Sequence, residues 1–141
     1  MTTTWRPEAA LVEAAQAILA AAKENGGATF EWIPEHQNPL TPFVAEDGYQ
    51  VGGGLGALPL KLAAHTWKGG PLRREIALGR IIHYLSVLPY TYVGVWHDEE
   101  TGDLWVEPSD WMRYEEFATG LANVRGEKAI WNWTTMQSEE V

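Results

Sequence analysis

The sequence predicts an α+β fold, a single small domain in which about three helices pack on a mostly antiparallel sheet, and three observations carry that reading. Tyr92-Val-Gly-Val-Trp-His97 and Leu104-Trp-Val-Glu107 flank the acidic turn Asp98-Glu-Glu-Thr-Gly-Asp103, which is a hairpin pattern. A helical periodicity comes next, and the β-prone run Ala129-Ile-Trp-Asn-Trp133 closes the series. A length of 141 residues with 45% apolar content, 8 Trp, 5 Tyr and 3 Phe is enough for one packed core.

From the amino end, Pro7 suits a first helical turn and Glu8 complements the helix dipole. Leu11, Ala15, Ile18 and Ala22 then recur at helical spacing until Asn25-Gly26-Gly27 stops them. Ala28-Thr-Phe-Glu-Trp-Ile33 reads as a short strand ending at Pro34. Residues 35–54 carry Pro39, Pro42, Asp47 and several glycines, so an irregular connection is expected, with at most one strand around Tyr49-Gln-Val51. Pro71 opens a second helix with Ile76, Ile81, Ile82 and Leu85 on one side, closed by Leu88-Pro89.

In the hairpin, Tyr92, Gly94 and Trp96 point one way and Val93, Val95 and His97 the other. Both faces carry apolar side chains, which places this strand centrally in the sheet. Pro108-Ser-Asp110 offers N-capping residues for a third helix, in which Tyr114, Phe117, Leu121 and Val124 recur before Gly126 ends it. After the last strand, residues 137–141 read as a short flexible tail.

Charge and composition narrow the function. With 19 Asp+Glu against 10 Lys+Arg the formal charge is -9, which disfavours direct binding to nucleic-acid phosphates or anionic lipid. The absence of Cys removes disulfides and thiolate metal sites and fits a reducing compartment. Met1-Thr-Thr-Thr-Trp-Arg-Pro has no basic, then apolar, leader pattern, and no apolar run is long enough to span a bilayer. A cytoplasmic protein without membrane contact is expected.

Candidate chemistry is sparse. Val51-Gly-Gly-Gly-Leu-Gly56 superficially resembles a phosphate-cradling loop, with Lys61 as a nearby phosphate partner, yet it lacks the Lys-Ser or Lys-Thr of a P-loop and the spacing of a dinucleotide fingerprint. His36, His65, His83 and His97 never stand three or four apart, so no metal site is expected. No nucleophile elbow is present, so neither catalytic residues nor a cofactor are assigned. Asp98, Glu99, Glu100 and Asp103 form a dense acidic turn that reads as solvated.

The eight tryptophans stand out in a chain of this size. Trp131 and Trp133 share one strand face, and Trp96 or Trp105 could extend an aromatic surface across the sheet. Partly exposed tryptophan is the side chain of binding hot spots.

The run from Tyr92 to Glu107, the helix after it and Gly126-Glu-Lys-Ala-Ile-Trp-Asn-Trp133 together resemble a family of small uncharacterised proteins from actinobacteria and their bacteriophages. The likeness covers roughly the last third of the chain, with a weaker echo in Asp47-Gly-Tyr-Gln-Val-Gly-Gly53, and Asn132 stands where an acid is commoner. It implies no catalytic residues. The expected function is that of a small acidic accessory protein, phage-encoded, which binds a host or phage protein. Trp96, Trp105, Trp131 and Trp133 would make contact, and Asp98, Glu99, Glu100 and Asp103 would form a steering rim. Two alternatives are a nucleic-acid mimic that occupies the basic groove of a DNA-binding protein, and a small-ligand binder or enzyme built on the Gly-rich loop.

Overall fold

A computed structural model describes residues 8–33, 35–36, 38–53, 58–88 and 91–141. In chain order these residues form α1 (Glu8–Asn25), β1 (Gly27–Trp32), β2 (Leu40–Pro42), β3 (Tyr49–Gly52), β4 (Leu60–Leu62), α2 (Ala64–Trp67), α3 (Pro71–Val87), β5 (Tyr92–His97), β6 (Leu104–Met112), α4 (Glu115–Arg125), β7 (Ala129–Asn132) and β8 (Gln137–Glu140). All strands join one 8-stranded antiparallel sheet in the order β2-β1-β5-β6-β3-β7-β8, and β4 pairs beside β3 on the same flank of β6. The α+β class is as the alternation of the hairpin and the flanking helices predicts. Pro7, Pro34 and Pro89, each expected to bound an element, lie outside the described residues.

The helices pack on one face of the sheet. Leu11, Ala15, Ile18 and Ala22 of α1, which recur at helical spacing, are all buried there, together with Ala77, Ile81 and Leu85 of α3. They meet Phe30, Trp32, Val93, Val95, Leu104 and Val106 from alternate strand positions, and Trp67 of α2 fills the same core. The alanines of α1 let its backbone approach the sheet closely. Ile76, expected on the inner side of α3, is 49% exposed, because the inward face is centred on Ala77, Ile81 and Leu85.

Three expectations are corrected. Pro108, Ser109 and Asp110 do not cap a helix but continue β6 to Met112. The physical reason is that Ser109 Oγ accepts Gln50 Nε2 at 3.0 Å and the Asp110 carboxylate takes Arg125 Nη2, so both polar side chains are held by tertiary partners while β3 keeps the backbone extended. The cap residue of α4 is instead Tyr114, followed by Glu115 and Glu116, whose charges suit the helix start. Gly126 closes α4 in the left-handed region at φ 73°, as read from the sequence.

The second correction is the orientation of α4. It meets the sheet through Ala118 and Ala122, which pack on Val51 and Ile130, while Tyr114, Phe117 and Val124 face outward. The third is the carboxyl end, where residues 137–140 are not a flexible tail but β8, paired along the whole of β7. The turn before it has no glycine to announce it. Asn132 Oδ1 closes it by accepting Thr134 N at 2.9 Å and Thr135 N at 3.3 Å, and Met136 takes a positive φ of 56°.

Candidate functional site

The face of the sheet opposite the helices is built in rows set by strand register. The first row runs Gly27, Trp96, Trp105, Lys61 across β1, β5, β6 and β4. The next holds Thr29, Gly94 and Glu107, and the third Glu31, Tyr92, Ser109 and Gly52. A fourth row places Trp111, Gln50 and Trp131 side by side.

Trp96 is 52% exposed even though β5 is a central strand. One flank is bare because Gly27 has no side chain, and a Cβ there would approach Val95 O to 2.8 Å. On the other flank Trp96 stands directly opposite Trp105, a cross-strand aromatic pair. Lys61 lies 5.7 Å from the Trp105 ring centre and 3.5 Å from Asp103, so the cation predicted as a phosphate partner is held by a ring and a carboxylate. Gly54 and Gly56 of the Gly-rich loop lie outside the described residues.

The acidic turn stands immediately above this tryptophan pair and is firmly closed. Asp98 N donates to Asp103 O at 2.9 Å, Gly102 N to Asp98 O at 2.7 Å, and Trp67 Nε1 to Gly102 O at 2.9 Å. Of the four predicted rim acids, Asp98 accepts Glu100 N at 3.0 Å and Asp103 pairs with Lys61. Glu99 and Glu100 are exposed and point their charge at solvent.

Trp131 and Trp133 do not join that patch. β6 separates the Trp105 row from the Trp111–Trp131 row by six residues, roughly 20 Å at strand rise. Trp131 is half-buried, and Trp133 at 6% exposure is no surface contact, which corrects its expected role. Its ring sits edge-on to Trp131 at 6.1 Å and to Phe43 at 5.8 Å, and Phe43 in turn packs on Tyr92 at 4.6 Å. The Trp133 indole donates to Gln50 Oε1 at 3.1 Å, and Gln50 passes the chain on to Ser109, so a buried amide is satisfied at both ends.

Between the two aromatic groups lies a residue that sequence reasoning did not single out, Glu107. It is flanked by Gly94 on β5, and its carboxylate lies over Gly52 of β3. A Cβ on Gly52 would come within 2.4 Å of Glu107 Oε1 and 2.7 Å of Glu127 Oε1, so both carboxylates converge over that glycine. A side chain there would displace both carboxylates from this position. Burial pushes the Glu107 carboxyl up to about 7, with the Glu127 charge adding to the rise and the Arg125 charge opposing it. Burial also raises Glu127, again opposed by Arg125.

Arg125 is anchored by the Asp110 carboxylate and by the carbonyls of Val51 at 3.3 Å and Gly52 at 3.4 Å. The only sequence signal for this cluster is that Glu107 alternates with Leu104 and Val106 on the same face as Trp105. Among the described residues no group of three or more His, Cys, Asp or Glu is placed to hold a metal ion, and no helix is long and apolar enough to cross a membrane.

Chemically, this face offers an open aromatic pair, two exposed acids at its rim and a carboxyl raised by burial to about 7 beside a second carboxylate. That combination suits a cationic group carried on an apolar segment. Comparison with protein-family models, curated proteins and solved structures finds no match for the chain.

Proposed function

We propose that the protein is a small acidic accessory protein of the cytoplasm that binds a host or phage protein through the helix-free face of its sheet. The observation that supports this most strongly is Trp96, half exposed on a central strand and paired with Trp105. Leaving such a surface in water is unfavourable, and a partner that covers it gains both the apolar area and a rigid anchor. Trp96 and Trp105 are the anchor of the contact, and Trp131 is a secondary contact further along the face. Glu99 and Glu100 steer the approach, while Glu107 and Glu127 receive a lysine or arginine side chain of the partner. The function needs no catalytic step, because occupancy of the partner is sufficient.

The experiment is capture of binding proteins from actinobacterial lysate by the tagged parent and by a Trp96→Ala, Trp105→Ala variant whose fold is verified by circular dichroism. A partner retained by the parent and lost from the folded variant is the expected result. Equal retention by both would rule this face out. Binding should also weaken below about pH 7, as Glu107 takes up its proton.

A further inference from the structure

α4 turns its large apolar residues away from its own core. Tyr114, Phe117 and Val124 are 56%, 58% and 70% exposed, and Leu121 is half-buried at the margin. Small residues, Ala118 and Ala122, make the contact with the sheet. The Tyr114 and Phe117 rings lie edge-to-face at 5.9 Å, forming a ready aromatic ridge. Gly120 lies beside the stripe in the interior of this 11-residue helix, and a Cβ there would meet nothing within 4 Å. The fold of a single chain gives no reason for a residue that weakens a helix interior at that point.

We infer that this face of α4 is a homodimer contact, on which a second copy of the chain docks antiparallel about a twofold axis near residues 119 and 120. The stripe has the same spacing read from either end, so Tyr114 and Phe117 of one copy lie against Val124 and Leu121 of the other. Gly120 then falls near the axis, where the absence of a side chain lets the two backbones approach. Electrostatics favour a copy of this chain over a basic partner. The whole chain carries -9, yet the exposed charges that flank this helix balance, Arg113 and Lys128 against Glu115 and Glu116.

Antiparallel pairing also opposes the dipoles of the two helices. The contact lies on the helical side of the sheet and leaves the proposed partner face free. Four side chains of this size, about half open, offer on the order of 400 Å² per copy, so roughly 800 Å² in total, below the roughly 1,000–1,200 Å² that a stable specific interface buries. The dimer is therefore weak and concentration-dependent.

Sedimentation equilibrium between roughly 5 and 500 µM tests this, over the range expected for a small interface. The parent should pass from monomer to dimer, while Phe117→Glu and Val124→Lys, both at exposed positions, should remain monomeric with an unchanged circular dichroism spectrum. Because the chain has no cysteine, Gly120→Cys provides an independent readout. It should form a disulfide dimer on mild oxidation, while Thr134→Cys, exposed but away from α4, should not. A parent that stays monomeric throughout, or a dimer that survives Phe117→Glu while Gly120→Cys fails to cross-link, would overturn the inference.

Discussion

Replacing Glu107 by Gln should make the protein more stable at alkaline pH and leave it unchanged in acid. The folded carboxyl titrates at about 7 against an ordinary 4.5, so it holds its proton more tightly in the folded chain than in the unfolded one. Its contribution favours folding fully below the ordinary value and is lost as pH rises from there to about 7. At about 1.4 kcal/mol per pH unit, the loss is roughly 3 kcal/mol, which screening from the open face reduces to about 2. Glutamine keeps the shape and removes the charge that Glu127 repels. Urea unfolding of parent and variant between about pH 4 and about pH 8 would show two curves that coincide in acid and separate by about 2 kcal/mol above neutrality. Parallel curves across that range would refute the assignment of a desolvated carboxyl at Glu107.

Other substitutions separate packing from contact. Trp133→Ala should cost about 3–5 kcal/mol because it empties a buried site and orphans Gln50, while Trp96→Ala should cost less than about 1 kcal/mol, both read by denaturant midpoint. Gly126→Ala forces an L side chain into a φ of 73° and should lower stability by about 1 kcal/mol, with thermal unfolding as the check. Reversing Glu99 and Glu100 to Lys should leave the fold intact and slow partner association several-fold at low salt, an effect that vanishes as salt is raised.

The parts of the fold that were legible are those where a local pattern and the tertiary environment agree. β5 and β6 alternate because one face meets α1 and α3 and the other does not, and α1 reads as a helix because its buried stripe is also its apolar one. α4 fails that test. Its apolar stripe marks a helix correctly but not its buried side, since two alanines lie inward and the large residues lie outward. β2 and β4, three residues each, are too short to carry a period and exist through pairing with β1 and β6.

At the candidate site, Trp96, Trp105 and the acidic turn are adjacent in one hairpin, so the sequence could bring them together. The cluster of Glu107, Glu127 and Arg125 over Gly52 joins three distant segments through strand pairing, and no local spacing announces it. Trp133 was misplaced for a related reason. The parity of β7 sets its face correctly, but Phe43, which covers it, comes from the connection between β2 and β3.

The central claim is that the helix-free face, anchored by Trp96 and Trp105, is the surface that engages a protein partner. Its most direct test is quantitative mass spectrometry of proteins captured by the parent, by the folded Trp96→Ala, Trp105→Ala variant, and by Phe117→Glu as a control on the opposite side of the sheet. The expected result is a partner held by the parent and by Phe117→Glu and lost from the tryptophan variant. Recovery of the same proteins by the tryptophan variant and the parent would contradict it.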